Sequence, residues 1–170
     1  MSLAKEIKKL KPFESLEQEA MLNVIRTADV LSGEIEAEVF RPGGISGTQY
    51  NVLRILRGSG ASAGSPNGAG LACGEIGARM VTRDPDITRL LDRLEKRGLI
   101  SRCREEKDRR VVCTRITAAG IKLLDELDPK VQAAHRRQLG HMGREKLKQL
   151  IALLEDARDR AGESSSSTEP

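Results

Sequence analysis

One stretch, Asp84 to Thr117, limits what this chain can fold into more than any other. Ile87, Leu90, Leu91 and Leu94 recur at helical spacing, so a short helix must lay one apolar stripe on a core. Asp84 and Pro85 offer that helix a start, because an Asp side chain accepts from the open amides of a first turn and Pro suits the first helical position. Gly98 offers a stop, at the place where a left-handed residue closes a helix. Beyond it, Leu99-Ile100 and Val111-Val112 flank the turn-like run Glu105-Glu106-Lys107-Asp108-Arg109-Arg110, which predicts a β-hairpin. Thr117 then leads into a further helix.

Charge gathers on the same stretch. Arg79 to Arg115 carries 12 Lys/Arg against 7 Asp/Glu, a local +5, whereas the whole chain is +4 and the remainder is therefore −1. A solvated helix with ordinary i,i+4 pairs would also be charged. The coincidence of a localised basic excess with a helix and an Arg-rich hairpin favours phosphate as the partner, with the helix in a major groove and the hairpin along the backbone. The fold class that follows is mainly α with a small β-hairpin wing, a winged helix-turn-helix.

Other functions find little support. The chain has no Ser/His/Asp or Cys/His set and no paired metal ligands, so no enzyme, cofactor or metal site is expected. The glycine-rich run from Gly58 to Gly70 lacks the Lys-Ser/Thr of a phosphate loop and reads as a flexible linker. His135 and His141 lie six apart, off a common helical face, and read as ordinary surface or interface histidines. No apolar run approaches a membrane span and the N-terminus has no signal-peptide core, so a cytoplasmic protein is expected. Cys73, Cys103 and Cys113 are odd in number and lack CxxC spacing, which fits small reduced thiols. Cys103, flanked by Arg102 and Arg104 and facing Cys113 across the proposed hairpin, is the one redox candidate.

Helical periodicity organises the rest. Ser15 to Val39 reads as a long amphipathic helix with Ser15 and Gln18 as a capping box, and Ser46 to Arg57 as a second helix. Leu71 to Met80 reads as a short helix, the first of the helix-turn-helix pair. Ala118 to Leu127 reads as a helix that Pro129 kinks or interrupts, followed by Val131 to Leu139 and Glu145 to Arg160. The divisions expected are dimerisation helices over 1–40, a DNA-binding domain over 41–118 with a flexible loop at 58–70, dimerisation helices over 119–161, and a disordered tail over 162–170. A winged unit needs only the middle of the chain, so the stripes of the end helices are expected to interlock with a second copy.

With these residues in view, the chain resembles the MarR family of transcriptional regulators. Gln49-Tyr50-Asn51-Val52-Leu53-Arg54-Ile55-Leu56 is similar to its second-helix signature, and Thr88 to Ile100 to its recognition helix and entry into the wing. Asp108-Arg109-Arg110-Val111-Val112 matches its wing tip, and Ile116-Thr117-Ala118-Ala119-Gly120 its return to the next helix. The resemblance implies a triangular homodimer on a pseudo-palindromic operator in double-stranded DNA. It also implies repression released by a small, often anionic aromatic effector bound between the dimerisation and DNA-binding regions, or in other members control by cysteine oxidation. The chain departs from the pattern in its longer 58–70 loop and in lacking the N-terminal cysteine of the peroxide-sensing branch.

The expected contacts divide by role. With Ile87, Leu90, Leu91 and Leu94 inward, the helix turns Pro85, Asp86, Thr88, Arg89 and Arg93 outward. Thr88 suits phosphate or a thymine methyl, and Arg89 suits a bidentate contact to guanine. Arg109 suits a narrow minor groove. Arg83, Arg104 and Arg110 suit the phosphate backbone, and Asp108 suits ordering the turn or pairing with an Arg. The function expected is a dimeric, sequence-specific regulator, a repressor released by a small molecule. The alternatives are a redox-responsive regulator and a non-specific architectural DNA-binding protein.

Overall fold

The computed structural model describes residues 2–61, 70–82, 86–104 and 112–165, with side chains as far as 159. The chain divides into two compact units, Met1–Lys130 and Val131–Pro170.

The first unit opens with a short helix α1 (Leu3–Glu6) and a long helix α2 (Leu16–Ile35). Ser15 caps α2 by accepting from the Gln18 amide at 3.2 Å, while the Gln18 side chain accepts from Glu14, one residue before the cap. The expected helix to Val39 is α-helical only to Ile35; Glu36–Phe40 continue as a wider π-helical turn. That turn buries Val39 and Phe40, and its Glu36 carboxylate accepts from the Gly47 amide at 2.8 Å, at the start of α3 (Gly47–Gly58). Ser46 and Gln49 close a reciprocal capping box on α3, satisfying two of the amides a helix start leaves open.

After α3 the fold departs from the sequence reading. Leu71 and Ala72 are not helical: they form a strand, β1 (Leu71–Ala72), before α4 (Cys73–Arg79). Strand β3 (Val112–Ile116) lies between β1 and β2 (Ile100–Arg104), and both neighbours run antiparallel to it. The expected hairpin is therefore part of a three-stranded sheet. Leu71 pairs with Thr114 because β3, left with one open edge, offers backbone groups that must find partners. Between β1 and the wing strands sits α5 (Ile87–Lys96). Gly98, at φ +68°, ends it in the left-handed conformation expected of it.

The core is built from every layer: Val52, Leu53 and Leu56 of α3, Ile76 of α4, Leu91 and Leu94 of α5, Ile100 and Ile116 of the sheet, and Leu124 and Leu127 of α6 (Ala118–Leu139). Each such side chain contributes about 1.5–3 kcal/mol on burial. The start of α6 is fixed by Thr117, whose hydroxyl donates to the Gly98 carbonyl at 2.7 Å and accepts from the Gly120 amide at 3.2 Å. Gly120 packs so close to the strand that a Cβ there would stand 2.3 Å from the Leu99 carbonyl oxygen.

Pro129 does not interrupt α6, which runs unbroken to Leu139. A proline removes one hydrogen bond at a cost of about 3 kcal/mol. The turn before it is held from outside the helix: Arg57 pairs with Asp125 at 3.2 Å and with Asp128, and the Tyr50 hydroxyl donates to Asp128 at 2.6 Å. Arg54 adds a second cation to Asp128 at 3.3 Å. Burial alone would raise the Asp128 carboxyl, but the Tyr50 and Arg57 hydrogen bonds and the Arg57 charge carry it below its ordinary range. Burial and the Asp128 bond push the Tyr50 hydroxyl up.

The second unit holds the end of α6, a 3₁₀ turn (Gly140–Met142) and α7 (Arg144–Ser165). The backbone is still helical at 162–165, where a disordered tail was expected; 166–170 lie outside the described residues. His135 and His141 are exposed, and the described residues hold no cluster of metal-ligating side chains. None of the described helices is long and apolar enough to cross a membrane.

Candidate nucleic-acid interface

The outward face of α5 is set by what its inward face must do. Leu90, Leu91 and Leu94 are buried and Ile87 is half-buried, which leaves Thr88, Arg89 and Arg93 exposed. The sequence stripe therefore assigns all three to the outer face, as expected. The helix begins later than Asp84-Pro85 suggests. Its cap is Asp86, whose carboxylate accepts from the Arg89 amide at 3.3 Å, and its first residue is Ile87. Asp86, expected as an outward contact, is thus the capping residue, and it also pairs with Arg89 at 3.0 Å. Arg89 keeps 77 % of its side chain exposed, and such a surface pair contributes between zero and about 1 kcal/mol. Its guanidinium can leave for a base edge at small cost.

Three contacts orient this helix. The Asn51 side chain of α3 accepts from the Val81 amide at 3.1 Å, fixing the link after α4. Arg97 donates to the Gly44 carbonyl, so one member of the basic run serves the turn before α3. The largest is Arg102, on β2. Its Nε donates to Glu95 at 2.8 Å, and one terminal nitrogen reaches both Asp92 and Glu95 at 2.5 Å. The Glu95 hydrogen bond, supported by Asp92 and opposed by burial, raises the pKa of this guanidinium further.

Sequence reasoning missed the Arg102 fork. Asp92 and Glu95 precede Arg102 by ten and seven residues, across the Gly98 turn, and no helical spacing signals such a pair. The redox candidate is placed more sharply. Cys103 is exposed, Cys113 is buried, and the two are direct partners in the β2–β3 register. Arg104 is exposed at the end of β2, opposite Val112. Arg83, Pro85, Asp108, Arg109 and Arg110 lie outside the described residues, as does 62–69 of the expected flexible loop. The arrangement is chemically simple: a rigid helix offering a hydroxyl and two guanidinium groups, beside a short sheet.

Comparison with known proteins agrees with this geometry. The MarR family model matches residues 45–112. The HTH-type transcriptional regulator FarR of Neisseria gonorrhoeae is 30% identical over 127 residues, covering 71% of this chain and 81% of FarR. A crystal structure of a MarR transcription factor from Planctomyces limnophilus is 44% identical, with a TM-score of 0.61 over 85% of this chain and 98% of that one. The PcaV transcriptional regulator of Streptomyces coelicolor, crystallised in complex with its natural ligand, has a TM-score of 0.66 at 19% identity, over 89% of this chain and 99% of PcaV, and shares the fold.

Proposed function

This chain belongs to the MarR family of DNA-binding transcriptional regulators, and on that premise we propose that it is a homodimeric repressor of a pseudo-palindromic operator, released by a small-molecule effector. The observation that carries the DNA-reading part is the division of α5 into a buried leucine face and an exposed Thr88, Arg89 and Arg93 face. Arg89 reads a base edge, Thr88 and Arg93 support it, and Arg83, Arg104 and Arg110 hold phosphate. Arg109 enters a minor groove beside the major-groove helix, and Asp108 orders the wing turn.

The dimer is supported by α2. This 20-residue helix buries none of its residues within the chain, and Leu16, Met21, Val24 and Ile25 are exposed. An apolar groove between α1 and α2, lined by Leu3, Ile7, Leu22 and Ile25, adds to the same surface. A face of that size in water is a partner surface, and the two-fold related copy is the simplest partner. The effector part is supported by the likeness to PcaV, crystallised with a ligand.

The test is a titration against duplex DNA from upstream of the chain's own gene, with a scrambled competitor, alongside sedimentation at micromolar concentration. Tight binding of the first duplex by a dimer supports the reading. Equal affinity for both duplexes would make the protein an architectural binder. Effector candidates are compounds that raise the melting temperature and also weaken operator binding.

A second reading, redox control, is favoured by the Cys103–Cys113 register. Directly opposed antiparallel residues stand about 4.5–5.5 Å apart at Cα, inside the range a disulfide spans. A peroxide would oxidise one thiol to sulfenic acid, releasing water, and the second thiol would displace hydroxide to close the disulfide. Loss of both thiols on peroxide treatment, reversed by dithiothreitol and absent in Cys103→Ser, is the expected result; retention of both thiols rules it out.

A further inference from the structure

We propose that Arg102 is a positioning residue for DNA recognition: by gripping Asp92 and Glu95 it fixes the rotation of α5 and offsets part of the negative charge on the helix that meets DNA, without itself contacting phosphate. The inference rests on α5 being the reading helix.

Asp92 stands one helical turn after Thr88 on the same stripe, and Glu95 one turn further. Both carboxylates therefore flank the side chains offered to DNA. Duplex DNA carries one negative charge per about 1.7 Å of its axis, so two uncompensated acids there would oppose docking. Arg102 meets both with one planar fork, a geometry lysine cannot reproduce. It is turned inward, with 23% of its side chain exposed against 77% for Arg89. Its strand is firmly held, since Arg102 pairs with the buried Thr114 and the neighbouring Ile100–Ile116 pair is in the core.

The fork also supplies what the leucine stripe lacks. Apolar contacts choose the face of α5 that is buried but tolerate a roll of the helix about its axis, because they are non-directional. Hydrogen bonds from a fixed strand to two positions on one flank remove that freedom. Arg89 and Arg93 then point where the fold, and not their own flexibility, directs them.

A double-mutant cycle tests this, using the upstream duplex and its scrambled counterpart as probes. Arg102→Met is made in the wild type and in Asp92→Asn/Glu95→Gln, with folding checked by circular dichroism. The expected result is a loss of operator affinity of about tenfold or more in the wild-type background and under about threefold in the neutralised one. The salt slope of operator binding should be the same before and after the change in the neutralised background. An equal loss in both backgrounds, with the slope lowered by about one unit, would make Arg102 a phosphate contact and overturn the proposal. Should Arg102→Met fail to fold, Arg102→Lys is read in the same two backgrounds, with a loss confined to the wild type supporting the proposal and an equal loss overturning it. Wild-type protein that bound neither duplex would instead overturn the DNA-binding reading itself, and the proposal with it.

Discussion

Helices α2 and α5 both carry apolar side chains at helical spacing, α5 the more sharply, and meet opposite fates. In α5, Leu90, Leu91 and Leu94 are all buried by the chain itself. In α2 none of the residues is buried, and Leu16 and Met21 remain 80% and 62% exposed. Periodicity reveals that a helix has an apolar face; it does not reveal which surface covers that face. For α5 the cover is β2 of the wing sheet and α4, whereas the described chain leaves the apolar face of α2 open.

The largest effect that could break this contrast is on stability. Leu94→Ala should cost about 2–5 kcal/mol in urea unfolding, because Leu94 is fully buried and a cavity would remain. Ile25→Ala on α2, 56% exposed in the single chain, should cost under about 1 kcal/mol when measured on a monomer. Equal costs would mean that the stripes are not differently covered.

Next in size is self-association. Ile25→Glu should weaken dimerisation by more than about tenfold in sedimentation, since an unpaired carboxylate would enter an apolar interface. Secondary structure by circular dichroism should stay unchanged. A dimer as tight as wild type would move the interface elsewhere and leave the α2 stripe unexplained.

The outer face of α5 sharpens the comparison in affinity. Arg89→Ala should lose about 1–3 kcal/mol on operator DNA and narrow the gap to random DNA. Arg110→Ala should weaken both duplexes alike and lower the salt slope by about one unit, with Arg109→Ala between them. If Arg89→Ala weakens both duplexes equally, α5 is a phosphate anchor and not a reader.

The smallest effect concerns pH, at the α3–α6 contact that both helices leave untouched. Asp128 is depressed below its ordinary 3.8 in the folded protein, so its contribution is fully present above the unfolded value and is lost as pH falls through the folded one. Thermal melts should therefore drop on acidification below about pH 4 as this carboxylate is protonated and its hydrogen bonds and ion pairs weaken. Asp128→Asn should flatten that limb while leaving melts near neutrality lower than wild type. An unchanged acid limb would show that Asp128 is not a major acid-sensitive partner of Tyr50 and Arg57.

How far the site was legible follows the range of the forces involved. Thr88, Arg89 and Arg93 could be placed outward from four apolar positions because a helix repeats its faces every few residues. Gly98 could be read because a left-handed helix end has a strong residue preference, and the structure gives it φ +68°. The start of the same helix differs from the Asp84-Pro85 expected, because the Asp86 carboxylate accepts from the Arg89 amide and so caps a helix that begins at Ile87. Pro129 misled for a related reason. Its local preference is real, but Arg57 and Tyr50 bind the preceding turn from a helix some seventy residues earlier in the chain.

What the sequence determined alone was the set of local commitments: which helix faces are apolar, where α2 is capped by Ser15, where Gly98 stops a helix, and where positive charge gathers. Tertiary structure alone decided the pairing of Leu71 with Thr114 and the grip of Arg102 on Asp92 and Glu95. The physical reason is that propensities and caps act within a turn or two of the chain. Sheet pairing and ion pairing across a turn depend on which surfaces the shared core first brings together.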